Sequence, residues 1–219
     1  HDALPICYGI GQGYITANGL QLAVMTARLA NGRKQLNPRL IKSVGGVEMP
    51  PGDEVPNLPF SQEHLDYVRS GMISVANDRS GTAYRQSQLG LGDVMMAGKT
   101  GTAQVRSYDG VANRDSRSVR WGLKDHNLYV AFAPIDEPRY AISVIIQHGG
   151  LGGATAAAPR AREVMRVALL KDPEIRARIV QPMPLPDVTD LPPVGIAPDG
   201  AVIAPPPMTS SPVPPGEPT

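Results

Sequence analysis

The 219-residue sequence has one cysteine, Cys7, so the chain holds no second thiol for a disulfide. That excludes a small disulfide-stapled scaffold and says nothing about redox compartment. No apolar run approaches the roughly eighteen residues a membrane helix needs, and no secretory signal opens the chain. Charge of one sign is not in excess: 21 Lys and Arg face 20 Asp and Glu, a formal net charge of +1. The balance is uneven along the chain, because residues 182–219 hold four acids and no Lys or Arg, leaving 1–181 at a formal +5. A mildly basic body suits a carboxylate-bearing ligand, but it lacks the clustered charge of a nucleic-acid surface.

The last 38 residues also lack aromatics and hold 13 of the 23 prolines. Such a segment cannot bury enough apolar surface to offset its ordering entropy, so 174–219 is expected to be a Pro-rich disordered tail. The other end is expected to be foreign: His1-Asp2-Ala3-Leu4-Pro5-Ile6 matches the in-frame translation of a common sequencing adapter, and residues 1–7 are read as that artefact.

Between these ends the periodicity is readable. Asn18 is placed to cap a helix whose Leu20, Ala23, Val24 and Ala27 share a face, with a stop at Asn31-Gly32. Ser61 is placed to cap a second, with Leu65, Val68, Met72 and Val75 inward. The apolar runs Val94–Ala97, Leu128–Ala133 and Tyr140–Ile146 read as strands, and Met95-Met96 as core. A closing helix is predicted over Ala154–Leu170, with Ala157, Ala161, Val164, Met165 and Ala168 inward and Arg160, Arg162 and Arg166 solvated. Helices followed by a strand meander and a final helix predict an α+β fold. No internal repeat is present.

The chemistry concentrates in Gly98-Lys99-Thr100-Gly101-Thr102. A phosphate-binding loop would end in Gly-Lys-Thr, but it needs glycine at position 93, which is Asp93, and a helix after Thr100. Gly101, Thr102 and Val105 favour a continuing strand instead. Such a strand carries a cation at Lys99 and hydroxyls at Thr100 and Thr102, two residues apart and so on one side. Gly101 leaves the position between them without a side chain, so a substrate can approach the backbone. A backbone N–H of the same strand can then stabilise an oxyanion. Alone, the tripeptide Lys-Thr-Gly is a weak signal, equally at home in an exposed turn.

Its surroundings make it specific. Ile10-Gly11-Gln12-Gly13-Tyr14 with Leu20-Gln21-Leu22-Ala23, then Val75-Ala76-Asn77 with Gly81-Thr82-Ala83, then Gly98 through Val105, resemble class B penicillin-binding proteins in the family's order. Asp125-His126, Ala131-Phe132-Ala133-Pro134 and His148-Gly149-Gly150 resemble its elongation-type group, penicillin-binding protein 2. Asn18-Gly19 stands where that family has Thr-Pro, which keeps a cap and loses only a preorganised first turn. The resemblance covers residues 8–173. It implies the C-terminal part of a penicillin-binding transpeptidase domain of the serine β-lactamase-like fold, truncated to a three-strand antiparallel meander with flanking helices. One outer edge of the meander should then be unpaired, because the family's first two strands are missing.

The resemblance further implies acyl transfer on peptidoglycan stem peptides ending in D-alanyl-D-alanine, acylation by β-lactams, and no cofactor. Lys99 and Thr102 would be catalytic, with Lys99 supplying charge and proton handling and the Thr102 N–H an oxyanion donor. Thr100, Gly101 and Thr102 would bind substrate. Expected partners are elongation-complex proteins, including the polymerising glycosyltransferase, at the periplasmic face of the inner membrane, with the parent membrane-anchored. The family's Ser-x-x-Lys and Ser-x-Asn motifs do not occur at any of the twelve serines. The nucleophile is therefore expected outside this sequence and the fragment alone is expected to be inactive. A related carboxypeptidase or β-lactamase, or a non-catalytic interaction fragment, are the alternatives.

Other residues read blandly. His148-Gly149-Gly150 is a turn, since no Gly-x-Ser-x-Gly elbow accompanies it. His126 beside Asp125, and His64 near Glu63 and Asp66, lack zinc spacing. Arg106–Asn127, with five basic and three acidic residues, reads as a solvated loop or a mobile flap beside the cleft.

Overall fold

The computed structural model describes residues 11, 16–50, 55–105, 119–179, 195–196 and 202–203. Two units divide after Ile179. Among the described residues the first opens with α1, Gly19–Ala30, held at its start by a capping box: Asn18 accepts the Gln21 N–H while Gln21 accepts the Asn18 N–H, both at 2.9 Å. It stops at Asn31, as expected, but its buried positions are Thr26 and Ala30, while Leu20 is 61% exposed. Thr26 can be buried because its hydroxyl donates to the Leu22 carbonyl one turn back.

A two-residue hairpin follows, β1 (Ser43–Val44) against β2 (Val47–Glu48), turning on Gly45-Gly46 at positive φ. Helix α2, Gln62–Asn77, starts at the predicted cap Ser61 and buries Leu65, Met72 and Ala76; Val75 is half-buried and Val68 exposed.

Strands β3 (Ala97–Ala103), β4 (His126–Ala133) and β5 (Tyr140–Ile146) form one antiparallel sheet in that order. The α+β meander is as expected, and among the described residues β3 and β5 are its two outer strands. The ladder begins at Ala97 rather than Val94. Val94 instead makes an isolated bridge with Leu91, while Met96 is buried and Met95 is 41% exposed. The predicted loop Arg106–Asn127 ends earlier than expected. Trp121–Leu123 forms a 3₁₀ turn, and His126 and Asn127 belong to β4, with Asn127 only 1% exposed.

Alternation along β4 divides the core. Phe132 faces Ala97, Met72 and Ala30 on the α1/α2 side. Tyr129, Ala131 and Ala133 face the closing helices on the other. The single closing helix of the sequence reading is two. Helix α3, Gly153–Ala156, breaks at Ala157, and α4, Ala158–Lys171, restarts with Pro159 in its first turn. Proline lacks an N–H and crowds the carbonyl four residues back, so it starts a helix better than it continues one. The break re-phases the inward face to Ala158, Ala161, Met165 and Leu169, leaving Val164 57% exposed. Ala157 is buried as expected and Ala168 half-buried; Arg160 and Arg166 stay exposed.

Residues 173–179, expected mostly in the tail, form α5 (Pro173–Ile179) with Ile175 in the core. Asp172 supplies the reason: its carboxylate accepts the Glu174 and Ile175 N–H groups and caps the helix. Arg178 then pairs with Asp93 and Asp136. In the second unit, β6 (Gly195–Ile196) pairs antiparallel with β7 (Val202–Ile203) inside the stretch read as disordered. Residues 1–7, read as adapter, lie outside the described residues.

Candidate active site

Strand β3 places Lys99-Thr100-Gly101-Thr102 on an outer edge of the sheet, in register with Val130, Tyr129, Leu128 and Asn127 of β4. Paired residues of antiparallel strands point the same way, so Lys99 and Gly101 share one face and Thr100 and Thr102 the other. Lys99 is exposed and lines a cleft of about 480 Å³ with Met25, Val68, Met72, Val75 and Val130. Its Nζ donates to the Thr100 carbonyl at 2.8 Å. The cation and the two hydroxyls therefore lie on opposite faces of β3, with Nζ turned to the Thr100 carbonyl. Glycine at 98 is demanded by packing: a Cβ there would fall inside the Tyr129 phenol. Gly101 is confined as well, since a Cβ would stand 3.3 Å from the Leu128 Cβ.

Several neighbours were not legible from the motif. Thr82 brings a hydroxyl 3.5 Å from that of Thr100. Tyr129, fully buried beneath Gly98, shares a 2.7 Å hydrogen bond with the buried Ser87 hydroxyl. Burial pushes the Tyr129 phenol up, with the Ser87 hydrogen bond opposing the shift. Gly153, at the start of α3, lies so close that a Cβ would meet the Gly101 carbonyl oxygen at 2.8 Å and its nitrogen at 2.9 Å. The sequence signal for these was faint: Gly81-Thr82-Ala83 and the glycine-rich turn were visible as blocks, but not their proximity to β3. Asn77 ties α2 to the approach to β3, donating from Nδ2 to the Met96 carbonyl at 3.0 Å.

His148, at φ +52, holds a tight turn after β5, as read. It joins His126 and Trp121 in an aromatic cluster, with ring centroids 4.6 and 4.5 Å from its own. Among the described residues no three His, Cys, Asp or Glu side chains are grouped to hold a metal ion. No helix among them is long and apolar enough to cross a membrane.

A Lys-Thr-Gly-Thr edge strand beside a helix-lined cleft, on a three-strand meander closed by a C-terminal helix, defines the penicillin-recognising class. Residues 4–166 match the penicillin binding protein transpeptidase domain, and the chain belongs to that family. It is similar to the peptidoglycan D,D-transpeptidase MrdA of Haemophilus influenzae, with 35% identity over 164 residues, 73% of this chain and 25% of the relative. With MrdA of Escherichia coli K12 the identity is 32% over 157 residues, 70% of this chain and 24% of the relative. The chain thus spans about a quarter of the length of these relatives. Among solved structures, Pseudomonas aeruginosa PBP2 in complex with WCK 5153 is similar at TM-score 0.64 and 32% identity, over 83% of this chain and 37% of that one. PBPA from Mycobacterium tuberculosis aligns at TM-score 0.54 and 25% identity, over 73% of this chain and 34% of that one.

Proposed function

We propose that this chain supplies one wall of a peptidoglycan D,D-transpeptidase site that β-lactams acylate. The observation that carries the reading is Lys99-Thr102 on an outer strand, with Lys99 lining a cleft against α2, in a chain similar to MrdA enzymes. A serine outside this sequence attacks the carbonyl of the penultimate D-alanine of a stem peptide. The Thr102 N–H donates to the oxyanion, and the hydroxyls of Thr100 and Thr102 hold the terminal carboxylate. Gly101 keeps the strand open to the substrate backbone. Lys99 supplies positive charge and handles the proton as the terminal D-alanine leaves. The acyl group then passes from serine to the amine of a second stem peptide, which closes the crosslink and frees the hydroxyl. The complete protein works anchored at the periplasmic face of the inner membrane, with elongation-complex proteins and their polymerising glycosyltransferase.

Fluorescent penicillin tests this. The chain by itself is expected to take no covalent label, and the complete protein is expected to label. Lys99→Ala in the complete protein should slow acylation by about a hundredfold, as for loss of a group that stabilises developing charge. Covalent label on the isolated chain would overturn the placement of the nucleophile, and unchanged labelling of Lys99→Ala would overturn the role given to Lys99.

A further inference from the structure

Three consecutive side chains at the start of β4 each accept a backbone N–H from a different point around the Lys-Thr-Gly-Thr strand. Asp125 accepts from Val105, two residues beyond β3, at 3.2 Å. His126 accepts through Nδ1 from His148, at 3.0 Å. Asn127, buried and in register with Thr102, accepts through Oδ1 from Leu151, at 3.2 Å. Two further bonds close the same gap: Gly150 N–H donates to the Asp125 carbonyl and the His148 ring shares a 3.0 Å bond with the Lys124 carbonyl. The turn held this way leads directly into Gly152-Gly153, and Gly153 rests on the backbone of Gly101. A side chain at Gly149 would collide with the Asn127 amide oxygen, so the turn is seated on Asn127 without slack.

We infer that Asp125-His126-Asn127 is a clasp of positioning residues that sets Gly101 and Thr102 by gripping the far end of their strand and the turn packed on it. This rests on the transpeptidase reading for its consequence in catalysis, but not for its geometry. The protonation states follow from the partners. A carbonyl only accepts, so His148 carries its proton on Nδ1; a backbone N–H only donates, so His126 Nδ1 is bare and its proton sits on Nε2. Position 126 therefore has to offer an acceptor: without one, the His148 N–H is left unmatched and the turn loses its middle bond.

The test uses the complete protein, following penicillin acylation and amide exchange of segments 99–105 and 147–153. His126→Asn puts an amide oxygen where Nδ1 stood and should stay within about twofold of wild type in both readouts. His126→Ala removes the acceptor and should acylate about tenfold more slowly, with faster exchange in both segments. If His126→Ala matches wild type, or His126→Asn is as impaired as His126→Ala, the clasp is wrong. Should His126→Ala fail to fold, His126→Phe, which keeps a ring and lacks the acceptor, decides in its place. Absence of any penicillin label would instead remove the transpeptidase reading, and the exchange data alone would still decide the clasp.

Discussion

Tyr129 and Ser87 show how far the site extends below its visible residues. Their hydroxyls are bonded in the core, and the phenol occupies the space a side chain at Gly98 would need. Tyr129→Phe should cost about 1–2 kcal/mol, because it leaves the Ser87 hydroxyl buried without its partner. Adding Ser87→Ala should recover part of that loss, a coupling that a denaturant double-mutant cycle would read. Additive losses would mean the hydroxyls do not depend on each other. The Lys-Thr-Gly-Thr motif was legible because it is contiguous. Tyr129 was not, since it comes under Gly98 through the pairing of β3 with β4, across 31 positions of chain.

Caps and turns were the most legible elements. Asn18 and Ser61 start α1 and α2 where their side chains promise, because capping is settled within four residues. The closing helix was misread for a different reason. Alanine-rich periodicity runs through Ala157 and hides the restart that Pro159 marks, and the close approach of Gly153 to Gly101 places the short α3 before it. At α5 the deciding group is Asp172, whose hydrogen bond from Tyr140 and those from the Ile175 and Glu174 N–H groups, with Arg139 beside it, hold its carboxyl below the usual range. A carboxylate depressed on folding adds stability that is fully present above its unfolded value, about pH 3.9, and is lost as pH falls through the folded value. Thermal melts between neutral pH and about pH 3 should therefore show wild type losing more of its melting temperature than Asp172→Asn. Parallel curves would mean the carboxylate contributes nothing specific to α5.

At the scale of the whole molecule, one open feature among the described residues is apolar. Leu20, Val24, Leu58, Phe60 and Val68 line a cleft of about 640 Å³ between α1 and α2, with Leu20 61% and Phe60 54% exposed. Contiguous apolar surface of this kind drives association in water. The chain alone is expected to bind an apolar-sensitive dye and to sediment above monomer mass at micromolar concentration. Phe60→Glu with Val68→Glu should reduce both while leaving the circular dichroism unchanged. A monomer that ignores the dye would contradict this.

The sequence by itself determined what depends on neighbours along the chain: helix caps, the apolar strands β4 and β5, the motif on β3, and through its ordered blocks the family. Tertiary structure alone decided what depends on pairing and docking. It set the phase of α1 and α4, the anchoring of residues 173–179, the placing of Lys99 and the hydroxyls on opposite faces of β3, and the grip of Asp125-His126-Asn127 on Val105, His148 and Leu151. Local patterns record which atoms want partners; only the register of the sheet and the close approach of Gly153 to Gly101 determine which partners those atoms find.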